Sequence, residues 1–301
     1  MRFRRPTRIP RASSAACITI EGMAGKAVKT EAVVLRSMRY GEADRILHLY
    51  TPHRGRVGAI AKGVRRARSR FGGRLEPFFR VSAELHEGRG ELLTVTGAQT
   101  IDPYVRLRAD AEALDAAARA CDAVGRLFET SEPHPGVFNL LCRQLALLDE
   151  RAGEAQTGVA AGVVQASAPV AGVEQASGPV AGVSARAGAL AFRMKLLVAA
   201  GLAPQLGGCA SCGEHEHLVG FSGAAGGVVC AACEAGSFPL HEEAHRFMTD
   251  ALGLSLSEVG DAGGQALGQV ERAIAATLEH HAHVRLMPAD HGRRPRCPRA
   301  A

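Results

Sequence analysis

Two equally spaced cysteine pairs, Cys209-Ala-Ser-Cys212 and Cys230-Ala-Ala-Cys233, carry the sharpest chemical signal in this chain, with seventeen residues between them. Each C-x-x-C can fold as a knuckle that points both sulfurs at one centre. Two knuckles close a tetrahedral thiolate shell of the kind that holds one Zn²⁺, and the intervening length suits a short hairpin. Gly213, directly after the first pair, supplies the backbone freedom such a turn needs. A catalytic alternative has to be weighed, because Glu214 beside the cysteines resembles zinc nucleobase deaminases, in which a Glu next to three ligands activates water. Val229 rather than Pro precedes Cys230, and Cys209 offers a fourth thiolate that would fill the position water needs. His215 and His217 sit between the knuckles as substitute ligands, but a loop there leaves them facing solvent. The site therefore reads as closed and structural.

The second signal is the run from Arg54 to Arg74, which holds Arg54, Arg56, Lys62, Arg65, Arg66, Arg68, Arg70 and Arg74 and no acidic residue. Guanidinium groups at this density pair with phosphates and displace counterions, which gives affinity without sequence preference. Phe71 lies inside the run and Tyr40, Phe78 and Phe79 flank it, so bases could stack beside a basic groove, although Phe78 and Phe79 read as half core and half surface. Alone, such a run is usually a solvated face. Charge distribution strengthens it: residues 1–105 hold 20 Lys and Arg against 9 Asp and Glu, a net of +11, while residues 106–301 hold 16 against 21, a net of −5. A basic front on an acidic rear points to a polyanionic partner for the front.

Other patterns carry little. Gly22-Met-Ala-Gly25-Lys26 lacks the spacing and the Ser or Thr of a phosphate-binding loop. His280, His281 and His283 fall at a helix end, where they cap carbonyls more readily than they bind metal. No Ser/His/Asp set and no paired carboxylates suggest catalysis.

The elements that must position these groups change character partway along the chain. Ala32–Ser37, Arg45–Thr51, Arg56–Lys62, Phe78–Glu87 and Glu91–Gln99 read as short strands, separated by Tyr40-Gly41, by Pro52 to Gly55 and by Gly88 to Gly90. Five strands in so few residues fit a small oligonucleotide-binding (OB) barrel over 26–105, with an SH3-like barrel fitting almost as well. Helices are expected at Ala109–Thr130, Val137–Glu150, Ala189–Ala200, His241–Leu252 and Gln265–His283, which makes 106–285 an α-helical region carrying a zinc module at 207–236 and the whole an α+β chain. Within 151–188 lies a period-ten repeat, VVQASAPVAG, VEQASGPVAG and the decayed VSARAGALAF. Its small residues, Pro and Gly bury too little to offset ordering entropy, so a mobile loop is expected rather than a solenoid. Residues 1–25 read as a flexible basic extension, with Met23 as an alternative start, and 286–301 as a flexible tail. No signal peptide or membrane-length apolar run is seen, so the eight cysteines are assigned to a reducing cytoplasm, where pairs bind metal more often than they form disulfides.

The stretch Glu31 to Val95, with YGEADRIL and the AKGVRR…LEPF run, resembles the N-terminal barrel of RecO proteins, and FRMKLLVAAGLAPQLGGCASCG (Phe192 to Gly213) resembles that family's helix leading into its zinc module. The resemblance covers about residues 28–285. It implies a non-enzymatic recombination mediator of the RecFOR type that binds single- and double-stranded DNA and anneals complementary strands. It also implies RecR and single-stranded DNA-binding protein as partners, help in loading RecA, and a cytoplasmic, nucleoid-associated location. On this chain Lys62, Arg65, Arg66, Arg68, Arg70 and Arg74 match the family's DNA-facing region, and Cys209, Cys212, Cys230 and Cys233 match its zinc-bearing members. The extension before Met23, the repeat and the tail depart from the family pattern.

Overall fold

A computed structural model describes residues 27–88, 90–162 and 184–289, with backbone only over 155–162. The basic extension, the first two copies of the repeat and the end of the tail lie outside the described residues.

The first five strands are β1 (Ala27–Tyr40), β2 (Asp44–Thr51), β3 (Gly55–Ala61), β4 (Arg80–His86) and β5 (Leu93–Asp102). They close in the order β1-β2-β3-β5-β4, with β4 returning to β1. Only β3 and β5 run parallel. That closure and that pair are those of the oligonucleotide-binding barrel and set aside the SH3-like alternative. Strand alternation fills the interior: Leu47 and Leu49 of β2, Val57, Ala59 and Ala61 of β3, and Val81, Ala83 and Leu85 of β4 are all buried in one cluster. A bulge between Val34 and Arg36 bends β1, so one long strand pairs with β4 at one end and with β2 at the other.

Helices α1 (Val105–Ala109), α2 (Ala111–Leu127), α3 (Pro135–Gly162), α4 (Ala185–Ala199), α5 (Glu242–Gly253) and α6 (Gly264–His281) form the second half. Asp110 caps α2 by accepting from the Ala113 amide at 2.7 Å, and Ser184 caps α4 by accepting from the Ala187 amide at 3.2 Å. The two halves share apolar surface: Val33, Leu35 and Tyr50, on the outside of the barrel, are buried in the same cluster as the helical core.

Helix reaches further into 151–188 than expected. α3 continues to Gly162, and α4 begins at Ala185, inside the decayed third repeat. Where that copy has Ala-Arg-Ala-Gly-Ala-Leu-Ala-Phe it has lost the Pro of the other copies and gained Leu190 and Phe192, which are buried in the core. Between α4 and α5 lies a small sheet of β6 (Leu218–Ser222), β7 (Gly227–Cys230) and β8 (Phe238–Pro239), in the order β7-β6-β8.

Candidate nucleic-acid interface and metal centre

The connection from Lys62 to Phe79 contains no strand or helix, yet it is anchored at many points. Phe71 and Leu75 are each 1% exposed and plug the barrel core. Asp44 accepts from the Gly63 amide at 2.7 Å, and the Arg65 amide donates to the Ala43 carbonyl at 2.9 Å. Turns at Gly63 (φ 69) and Gly72 (φ 53) take backbone angles that favour glycine. With the apolar residues turned inward, Lys62, Arg65, Arg66, Arg68, Arg70 and Arg74 are all exposed. Their polar contacts are with carbonyls: Arg65 donates to Gly41 at 3.4 Å and Arg74 to Arg70 at 3.1 Å. Among the described residues no carboxylate pairs with any of the six. Phe71, a stacking candidate in the sequence, is instead the buried anchor of the loop, with the Arg70 guanidinium over its ring at 4.9 Å. Tyr40, 53% exposed at the β1–β2 tip beside Arg65, is the aromatic left free to meet a ligand.

The other two members of the basic run stand apart. Arg54, in the β2–β3 turn, pairs with Glu87. Arg56 turns toward the helices, donating to the Gly125 carbonyl at 2.8 Å, with Glu129 at 3.5 Å. Phe78 is held at φ 72, an unusual backbone for an aromatic residue, by its amide donating to Val34 at 2.7 Å and the Val34 amide returning to Phe79 at 3.0 Å. Phe79 packs on the barrel core and takes the Arg108 guanidinium over its ring at 4.9 Å.

The two knuckles meet as the spacing requires. The sulfurs of Cys209, Cys212, Cys230 and Cys233 all lie within 4.8 Å of one another, and those of Cys212 and Cys230 are 3.7 Å apart. Tetrahedral metal–sulfur bonds of about 2.3 Å would set sulfurs roughly 3.8 Å apart. The four residues can therefore hold a metal ion. Backbone amides, that of Cys230 first, then those of Cys212 and Ser211, draw the Cys209 thiol down to about 6. Hydrogen bonding to Cys212 and then Cys230 pushes Cys233 up to about 12. Four sulfurs this close cannot all ionise without a cation between them, which is the chemistry of a metal shell. Gly213 turns at φ 82, as its place after the first knuckle demands, and its amide donates to Cys209 at 2.8 Å. Glu214 accepts from the amides of His215 and Glu216 at 2.8 and 3.1 Å. The His215 ring contacts the Gly207 carbonyl at 2.7 Å, and both it and His217 are exposed outside the sulfur cluster. His281 likewise contacts a carbonyl, that of Gly223 at 2.8 Å.

One set of functional-looking cations was not legible in sequence. Arg119 of α2 and Arg193 of α4 are each 6% exposed. Arg119 bonds Asp115 and the Pro288 carbonyl; Arg193 bonds the Met287 carbonyl and faces Glu271 at 3.8 Å. Together they clamp residues 287–289 onto the helices, with the Ala289 amide donating to Glu271.

A closed oligonucleotide-binding barrel, rimmed by arginines with no carboxylate partner among the described residues and joined to helices and a four-cysteine cluster that could hold a metal, defines the class of protein. Sequence comparison makes the assignment specific. Residues 23–104 match the model of the recombination protein O N terminal domain and residues 181–287 that of its C terminal domain. A DNA repair protein RecO of Rubrobacter xylanophilus is 36% identical over 253 residues, covering 81% of this chain and 89% of the relative. Those of Anaeromyxobacter sp. (strain K) and Nocardioides sp. are 33% and 35% identical, covering 86% and 84% of this chain and 93% of each relative. The chain belongs to the RecO family of DNA repair proteins. No helix among the described residues is long and apolar enough to cross a membrane.

Proposed function

We propose that this protein is a non-enzymatic recombination mediator that binds single- and double-stranded DNA through Lys62, Arg65, Arg66, Arg68, Arg70 and Arg74. The observation that carries the reading is that, among the described residues, no carboxylate pairs with these six exposed cations on an anchored loop of an oligonucleotide-binding barrel. Arg45, by contrast, shares its charge with Glu76 at 3.0 Å. Screening two polyanions at once is the physical requirement for annealing, and the loop supplies it. Family membership supports action with RecR and single-stranded DNA-binding protein in loading RecA, within the cytoplasm. The four cysteines hold one structural Zn²⁺: with all four positions taken by sulfur, no place remains for a reactive water, and Glu214 is occupied by backbone amides.

The test is a salt series of DNA binding by fluorescence anisotropy. Replacing Arg65, Arg66, Arg68 and Arg70 by Ala should weaken single-strand binding by orders of magnitude. It should also flatten the salt dependence by roughly three units, at about 0.7 per phosphate contact. Base composition should matter little. Equal salt slopes for wild type and the quadruple variant, both folded by circular dichroism, would remove the DNA site from this loop.

A further inference from the structure

Barrel and helices meet along a cleft of about 480 Å³. Phe78, Ala118 of α2 and Met287 give it an apolar wall; Arg36 of β1, His48 of β2 and Arg56 of β3 give it a basic one. That volume is of the order that takes a small planar ligand with a charged group attached.

Three observations say what enters. Phe78 is presented at the cleft wall on a left-handed backbone that two hydrogen bonds with the Val34 segment enforce, so its ring is placed there against local preference. The charges are unequally engaged: Arg126 is bonded to Asp122 at 2.7 Å and Arg56 is held by Gly125 and Glu129, but Arg36 has no carboxylate or carbonyl partner among the described residues. Finally, a row of outward strand residues links the cleft to the arginine loop. Arg36 pairs with His48, Met38 with Ile46 and Tyr40 with Asp44 across β1 and β2, alternating with the inward Leu47 and Leu49. This outward row begins at Tyr40, beside Arg65, and reaches the cleft at Arg36, about 14 Å away at strand rise. This row gives a single strand leaving the loop a route to Phe78 and Arg36 at the cleft.

We propose that the cleft takes one unstacked nucleotide of the bound strand, its base against Phe78 and Met287 and its phosphate on Arg36. The inference rests on the loop being the DNA site and adds a strand preference: duplex bases are paired and stacked, so only single strands can fill the cleft.

The test uses the full chain and three variants. Phe78→Asn removes the ring while keeping a residue that tolerates the left-handed backbone; Ala118→Phe fills the cleft; Arg36→Ala removes the cation. By anisotropy, Phe78→Asn and Ala118→Phe should each lower affinity for an oligo(dT) strand about tenfold and leave a duplex of equal length within about twofold. Arg36→Ala should reduce the single-strand salt slope by about 0.7. A strand carrying 2-aminopurine should change fluorescence on wild type and lose that change on Ala118→Phe. Should Ala118→Phe fail to fold, Phe78→Asn decides alone. Unchanged single-strand affinity, or equal losses for strand and duplex, overturns the proposal. So does loss of binding to a labelled poly-Glu peptide ending in Phe while DNA binding stays intact, which would give the cleft to a protein tail. The loop reading fails separately, through the quadruple Ala variant keeping its full salt slope.

Discussion

The two halves of the molecule use arginine in opposite ways. On the barrel, the cations from Lys62 to Arg74 face solvent with no carboxylate partner among the described residues. In the helical half, Arg119 and Arg193 are buried, and each reaches both an acidic side chain and a carbonyl of residues 287–288. A buried guanidinium has to be satisfied internally because its desolvation is so costly, so it ties the chain to itself. An exposed, unpaired one contributes little to folding and keeps its charge for an external phosphate. Arginine count therefore says little; partner and exposure separate the roles.

The largest effect is expected at the four-cysteine cluster, the zinc site proposed above and the helical half's other internal tie. Stripping metal with chelator under reducing conditions, or replacing Cys230 by Ser, should give the largest fall in Tm of any change considered, because thiolate–metal binding is coupled to folding of the ribbon. Metal analysis should give one zinc per chain. Stoichiometric zinc in a Cys209→Ser/Cys212→Ser variant would remove these residues as ligands.

Next in size is Phe71→Ala, which should cost about 3–5 kcal/mol of barrel stability, as large aromatic truncations in cores do. DNA affinity should fall with it although no charge is changed, since the loop loses its anchor. Weakened DNA binding with unchanged denaturant midpoint would return Phe71 to a base-stacking role. Arg193→Met should then lower stability by about 3 kcal/mol by stranding the Met287 carbonyl and removing one of Glu271's partners, with the salt slope of DNA binding untouched. Arg68→Ala should do the reverse: stability within about 0.5 kcal/mol of wild type and a slope lower by about 0.7. If both variants lost stability alike, exposure would not separate the two uses of arginine.

These residues also mark how far the sequence is legible. The cysteine pairs are readable because metal geometry constrains spacing along the chain directly, and the barrel strands because apolar residues alternate within each one. The arginine run is readable as charge, but not its division: only the fold shows that Arg56 turns to Gly125 and Glu129 while Arg65 to Arg74 remain outside. Phe71 looks like its exposed neighbours until the barrel end it plugs is known. Arg119 and Arg193 lie in Ala- and Leu-rich helices, and although Asp115 sits a turn from Arg119, the carbonyls the two reach lie 169 and 94 residues away, beyond any local pattern. The decayed repeat divides likewise: Leu190 and Phe192 fall in the helix read over Ala189–Ala200, but the small residues at 185–188 read as loop until the core shows that α4 begins there.

The smallest effect tests the seam between the halves. His48 is part-buried beside Arg56 and Arg36; burial first, then these two cations, lower its pKa from 6.5. Arg56 reaches the ring at 3.4 Å, and since guanidinium only donates, Nδ1 accepts and the folded state favours neutral imidazole. Asp122 and Arg126 of α2 and Glu129 just after it line the same cleft, with Asp122 already bonded to Arg126. Just below pH 6.5 the unfolded chain therefore binds more protons than the folded one, and stability rises with pH across that window. Wild type should lose stability as pH falls from 6.5 to the lowered folded value, and His48→Gln should flatten that segment of a Tm against pH series. Bound DNA reverses the preference. A phosphate in the cleft favours imidazolium, so single-strand affinity should rise as stability falls, and His48→Gln should abolish both trends together. If affinity tracks pH identically in the two proteins while their stability curves differ, His48 belongs to the seam alone and no phosphate comes near it.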